Sequence, residues 1–214
     1  MVIEIPGTIF LDLDGTLLDT SPRHYKLYQD ILNNKGVSES KVSLEKFWNM
    51  KRAGIKTRDI LPASLSNEII DSFEKEWLQK IEKKSYLQYD EPFPKTKKVL
   101  SCLNKEFDLV LVTLRNNTEN LHWELSKLGL QNYFKAIICG EGPKNKLVED
   151  YLMDSPDEKC IIIGDTEEDI KTGLELEIIT ISVTWGIRSR GFLEQFNHDF
   201  CIDSFQEIMD IVNF

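Results

Sequence analysis

Short apolar, β-branched runs recur along the chain at 8–13 (TIFLDL), 109–113 (LVLVT), 136–139 (AIIC), 160–164 (CIIIG), 178–183 (IITISV) and, more weakly, 199–202 (DFCI). Runs that are apolar at consecutive rather than alternate positions belong to strands buried on both faces, as in a parallel sheet covered by helices. Helix-like stretches lie between the later runs. In 118–129, Leu121, Leu125 and Leu128 return at helical spacing and Gly129 supplies a stop. This alternation predicts βαβ units and an α/β fold.

Residues 20–90 break the rhythm. They hold no comparable β run and read as helices over roughly 22–34, 43–51 and 66–84. Pro92 and Pro94 at the exit disfavour helix and mark a stiff return. The expected organisation is therefore a sheet domain from 1–19 and 91–214 with a helical insert at 20–90.

At 214 residues, 41% hydrophobic and 29% charged, the chain suits one globular core plus one insert. The net charge of −10 argues against nucleic acid or anionic lipid as a partner. That charge is uneven, because 20–90 holds 13 Lys/Arg and 10 Asp/Glu, and the remainder 13 and 26. No apolar run reaches the ~18 residues of a membrane span, and MVIEIPGTIFLD has no basic leader, so a cytoplasmic protein is expected. Cys102, Cys139, Cys160 and Cys201 are widely spaced and read as reduced, packed thiols.

The chemistry concentrates where the first run ends. Asp12 and Asp14 stand two apart, so on a strand they share a face at its C-terminal end, the edge where open α/β sheets bind ligands. Two such close carboxylates must share a proton or recruit a cation. The segment Asp12 to Asp19, DLDGTLLD, resembles the first motif of the haloacid dehalogenase-like superfamily of phosphatases and phosphotransferases. Three further segments follow in that family's order: Thr113 at the end of LVLVT, Lys144 in GPKNKLVEDYL, and Asp165 with Asp169 in GDTEED. VTWGIRS at 183–189 is similar to the C-terminal part of phosphoglycolate phosphatase-like members, a group that also includes β-phosphoglucomutase-like proteins.

The resemblance implies a doubly wound, mostly parallel sheet, with residues 20–90 as an α-helical cap that selects the substrate. It implies Asp12 as the nucleophile that forms an aspartyl-phosphate and Asp14 as the acid and base. Mg²⁺ would be held by Asp12, the Asp14 backbone carbonyl and Asp165, with Asp169 acting directly or through water; an all-oxygen set without histidine favours Mg²⁺ over Zn²⁺. Thr113 and Lys144 would hold the phosphoryl oxygens, and Gly15, Thr16, Leu114 and Arg115 would border the substrate. Lys144 is preferred to Lys146 because Leu147 and Val148 then fall three and four residues later. Many members carry Asn after the second-motif Ser/Thr, whereas Leu114 and Arg115 follow Thr113 here. Arg115 is either a substrate contact or a solvated surface residue.

In the insert, KRAGIKTR at 51–58 places Arg52 and Arg58 on a basic turn that is either a solvated face or a contact for a second anionic group of the substrate. A closed cap favours a small phosphorylated metabolite, hydrolysed by a monomer or homodimer. A phosphomutase, or a relative that binds a phosphorylated ligand without turnover, is the competing expectation. His24, His122 and His198 read as surface or packing residues, and no P-loop or nucleophile elbow is present.

Overall fold

The computed structural model describes residues 7–37, 42–154 and 159–212. Among the described residues eight strands form: β1 (Thr8–Leu11), β2 (Leu18–Asp19), β3 (Glu91–Pro92), β4 (Asp108–Thr113), β5 (Ala136–Cys139), β6 (Cys160–Gly164), β7 (Ile179–Val183) and β8 (Phe200–Ile202). Six of them, each falling on one of the apolar runs, make a parallel sheet of order β5-β4-β1-β6-β7-β8. The order reverses at β1/β6, which is the switch point of a doubly wound α/β sheet.

Why most positions of these runs are apolar is visible in their packing. Ile9, Leu11, Leu109, Leu111, Ile161 and Ile163 enter one core, whereas Phe10, Val110, Val112 and Ile162 enter a second. Because successive side chains alternate across a strand, both faces of the sheet are buried. The helices that cover it are α5 (Thr96–Leu103), α6 (Thr118–Leu128), α7 (Lys144–Asp154), α8 (Glu167–Glu175), α9 (Arg190–Leu193) and α10 (Phe205–Ile211). Gly129 ends α6 in the left-handed conformation, at φ 64°. That geometry favours glycine, as the sequence pattern required.

Before them come the helices of the insert: α1 (Ser21–Asn34), α2 (Leu44–Arg52), α3 (Asn67–Lys80) and α4 (Lys84–Leu87). Leu27, Tyr28, Ile31, Leu32, Phe47 and Phe73 form a core of their own within this segment. The chain leaves and re-enters the sheet domain through β2 and β3, an antiparallel ribbon with Leu18 opposite Pro92 and Asp19 opposite Glu91. Two-residue strands carry no periodicity, so the sequence pattern does not reveal them.

The third predicted helix, 66–84, stops at Lys80 instead. Tertiary bonds take over there: Asn120 Nδ2 donates to the Glu82 carbonyl at 2.8 Å, and the Glu82 carboxylate accepts from the Asn117 amide at 2.7 Å. All four cysteines are free thiols. Among the described residues no helix is long and apolar enough to cross a membrane.

Phe47 is fully buried, with its ring centroid 4.9 Å from that of Tyr28. Removing a ring from such a site costs about 3–5 kcal/mol. Phe47→Ala is expected to lower the unfolding free energy by that amount, read from urea denaturation followed by circular dichroism; an unchanged midpoint would show that the insert core does not contribute to folding.

Candidate active site

β1 ends where its polar neighbours begin. The Asp12 amide still donates to the Ile163 carbonyl at 2.9 Å, so Asp12 stands at the β1/β6 switch point. Asp165 follows β6 directly, and Asp169 lies in the first turn of α8. One carboxylate oxygen from each of Asp12, Asp165 and Asp169 lies within 4.8 Å of the others. All three residues are buried, at 7%, 0% and 1% exposure. Lys144, at the start of α7 and 3% exposed, reaches Asp12 Oδ1 and Asp169 Oδ1, each at 2.6 Å. Lys146 points away and pairs with Glu149 and Asp150 on the surface.

The surroundings are cut to fit these carboxylates. A Cβ on Gly15 would lie 2.1 Å from Asp165 Oδ2, one on Gly186 equally 2.1 Å from it, and one on Gly164 2.0 Å from Asp169 Cγ. Thr16 donates its hydroxyl to Asp12 Oδ2 or Asp165 Oδ1, each at 3.2 Å, and the Ile187 amide donates to Asp165 Oδ2. Asp169 Oδ2 accepts from the Thr166 amide at 3.0 Å and its hydroxyl at 2.7 Å, closing a capping box on α8.

Three buried carboxylates facing one ammonium leave the set short of positive charge. Burial pushes Asp12 up to about 7, with Lys144 pulling it down and Asp169 pushing it further up. Burial and the neighbouring charges of Asp12 and Asp169 raise Asp165 well above the usual carboxylate range. Burial would lower Lys144, but Asp12 and Asp169 more than offset that and hold it firmly protonated. An all-oxygen set in deficit of positive charge fits a hard divalent cation such as Mg²⁺. All three carboxylates have protein donors, but Asp12 Oδ2 and Asp165 Oδ1 share the single Thr16 proton, so one of these two oxygens has no donor, whereas both oxygens of Asp169 have one.

Asp14 lies in a different electrostatic setting. Arg115 forks onto it, with Nε 3.0 Å from Oδ2 and Nη2 2.5 Å from Oδ1, and Arg23 Nη2 adds a contact of 3.0 Å. The same arginines reach Asp90 at 3.2 and 3.3 Å, and Arg115 also pairs with the buried Glu124. Burial would raise Asp14, but Arg115 and Arg23 reverse this and hold it well below the ordinary carboxylate range. As placed here, Asp14 is an anion and an acceptor. It has no proton to give until it leaves the arginines.

These groups border a cleft of about 300 Å³ whose walls include Asp12, Asp14, Thr113, Leu114, Arg115 and Lys144. The insert adds Arg23, His24, Ile81 and Glu82. Gly15 and Thr16 pack against the carboxylates and do not line the cleft. Arg115, at 4% exposure, is not a solvated surface residue. Arg52 and Arg58, expected near the substrate, are not on the cleft wall: Arg52 donates to the carbonyls of Thr184 and Gly186, and Arg58 pairs with Glu74 on the outside of the insert. His24 packs edge-on against Trp48 and Trp77; burial and Arg23 lower it well below its usual value, so its ring is neutral.

Arg23, Asp90 and Glu124 escaped the reading of the sequence. Their signal was a charge on an apolar face, since Arg23 shares its face of α1 with Leu27 and Glu124 lies between Leu121 and Leu125 on α6. A charge there needs a buried partner.

A model of haloacid dehalogenase-like hydrolases matches residues 9–183. The chain is 23% identical to pyrophosphatase PpaX of Bacillus mycoides, over 97% of each chain. It is 29% identical to a phosphoglycolate phosphatase of Aquifex aeolicus, over 83% of this chain and 84% of the relative. A solved haloacid dehalogenase-like family protein of Streptococcus pneumoniae superposes with a TM-score of 0.78 at 22% identity, covering 96% and 97% of the two chains.

The raised Asp12 carboxyl has a consequence for stability. A folded-state value near 7 against 3.8 means that the folded, metal-free protein binds more protons than the unfolded chain between about pH 4 and 7. Asp12 therefore contributes a loss of stability as pH rises through that window, on the order of a few kcal/mol. Thermal melts in EDTA are expected to show Asp12→Asn gaining on wild type from pH 5 to pH 8, and Mg²⁺ stabilising wild type most at the alkaline end. A difference between the two proteins that is independent of pH would contradict the charge deficit.

Proposed function

Because the chain belongs to the haloacid dehalogenase-like hydrolase family, we propose that it is a Mg²⁺-dependent phosphatase that hydrolyses a small phosphate monoester through a phosphoryl-Asp12 intermediate. The observation that carries this reading is the buried set of Asp12, Asp165 and Asp169 around Lys144, opening on the cleft at the sheet's switch point. Asp12 and Asp165 would hold Mg²⁺ through their side chains and Asp14 through its backbone carbonyl, with Asp169 supporting it directly or through water. Bound there, the ion would neutralise the negative charge that otherwise opposes attack on an anionic phosphoryl group.

The protein's own groups perform the rest. Asp12 attacks phosphorus and the bond to the leaving oxygen breaks, splitting a very slow hydrolysis into two easier transfers. Thr113 and Lys144, both on the cleft wall, hold the phosphoryl oxygens. Asp14, once it withdraws from Arg115 and Arg23 and takes up a proton from solvent, gives that proton to the leaving oxygen, and later takes one from the water that attacks the phosphoryl-enzyme as the bond from Asp12 to phosphorus breaks.

Residues 20–90 act as a cap on the core formed by 1–19 and 91–214. Its contribution of Arg23, His24, Ile81 and Glu82 to the cleft supports that role. A volume of about 300 Å³ lies at the small end of ligand pockets, which suits a phosphorylated metabolite better than a macromolecule. The names of the relatives, a pyrophosphatase and a phosphoglycolate phosphatase, refer to small phosphorylated compounds as well. The net charge of −10 and the absence, among the described residues, of a membrane-spanning helix support a cytoplasmic metabolite as the partner.

Release of inorganic phosphate from a panel of phosphorylated metabolites tests the reading. Turnover is expected with Mg²⁺ and not with EDTA, and Asp12→Asn and Lys144→Met are each expected to lose about 10³-fold or more in kcat. Lys146→Ala is expected to stay within about twofold of wild type, because removing an exposed ion pair has little energetic effect. An Asp12→Asn variant that turns over normally would refute the nucleophile.

A further inference from the structure

We propose that Arg52 is a positioning residue for the cation site: it ties the helical insert to the loop that sets Asp165, so that seating of the insert and binding of the cation reinforce each other. The inference rests on the Mg²⁺ reading above. Its basis is the stretch 184–189, which touches the carboxylates on one side and the insert on the other.

On the carboxylate side, three successive residues make contact. Trp185 Nε1 donates to the Thr16 carbonyl at 3.0 Å, and the Thr16 hydroxyl lies between Asp12 and Asp165. Gly186 passes so close that a Cβ would lie 2.1 Å from Asp165 Oδ2 and 2.3 Å from the Gly15 carbonyl. The Ile187 amide donates to Asp165 Oδ2 at 2.5 Å.

On the insert side, Arg52 spans the same residues. Its Nη1 donates to the Gly186 carbonyl at 2.7 Å and its Nη2 to the Thr184 carbonyl at 2.6 Å. Two backbone-directed bonds lock the register: the Ser189 amide donates to the Arg52 carbonyl at 2.9 Å, and Arg188 Nη1 to the Lys51 carbonyl at 2.9 Å. Gly54, at φ +86°, lets the turn after α2 lie flat on the Phe192 ring, where a Cβ would come within 2.2 Å. Arg52 thus grips the 184–185 and 186–187 peptide units, and the second of these is the unit whose amide, that of Ile187, orients Asp165. A planar fork satisfying two carbonyls is a role lysine cannot duplicate.

If the insert helps hold Asp165 in place, then by linkage the cation must help hold the insert, by the same factor. The test uses the intact protein and reads binding rather than turnover. The midpoint of Mg²⁺ binding, followed by isothermal titration calorimetry, is expected to rise about tenfold in Arg52→Ala and by a smaller factor in Arg52→Lys. Arg58→Ala, which removes the other arginine of this basic segment, is expected to match wild type. In wild type, Mg²⁺ is expected to slow amide exchange at Ser189, and that readout survives if Arg52→Ala fails to fold. Equal Mg²⁺ midpoints for wild type and the Arg52 variants, or Ser189 exchange indifferent to Mg²⁺, would overturn the coupling. A wild type that Mg²⁺ does not stabilise at all would overturn the cation reading and this inference together.

Discussion

Mutual repulsion among Asp12, Asp165 and Asp169 is the constraint on which the rest of the site depends. Three carboxylates buried within 4.8 Å of one another are tolerated only with protons, a cation, or both. The fold meets part of the need with Lys144, held between Asp12 and Asp169 by the start of α7. Packing removes alternatives: Gly15, Gly164 and Gly186 let backbone approach so closely that the carboxylates have little room to turn away. What remains is a fixed deficit of positive charge facing a small cleft, the feature on which the proposed Mg²⁺ and phosphoryl site rests.

Two residues further along the chain, a second buried cluster has two cations in place of one. Asp14 faces Arg23 and Arg115, whose charges are shared with Asp90 and Glu124. One carboxylate is thereby kept anionic and the other near neutrality, although both leave the end of the same strand. The second cluster also joins the two parts of the molecule: Arg23 comes from the insert, Asp90 from its exit, and Arg115 and Glu124 from the sheet domain. An ionic network that spans this junction makes the placement of Asp14 sensitive to the placement of the insert. Arg52 does the same on the other side of the cleft through the 184–189 loop.

The sheet was legible because burial on both faces leaves a plain mark, a short run dominated by apolar and β-branched residues, and each of the six runs became a strand. Asp12 and Asp14 were legible because charge at the end of such a run conflicts with its surroundings. The order of Thr113, Lys144, Asp165 and Asp169 became readable only through the family resemblance, since each alone is an ordinary strand-end or helix-start residue. The β2/β3 ribbon and the break after Lys80 were not legible, because pairing partners 70 or more positions apart in sequence determine the first and side-chain bonds from Asn120 the second. The arginines of the basic turn stayed open between a solvated face and a substrate contact for a related reason: charge in a sequence does not say which way a side chain faces, and Arg52 turns to backbone carbonyls of the loop after β7.

Diffraction from crystals soaked in Mn²⁺, as an anomalous stand-in for Mg²⁺, tests the central claim most directly. The account predicts one strong anomalous peak within coordinating distance of carboxylate oxygens of both Asp12 and Asp165, and its disappearance in Asp165→Asn. Crystals that take up Mn²⁺ elsewhere, while Asp12, Asp165, Asp169 and Lys144 keep the arrangement described here without an ion, would contradict it.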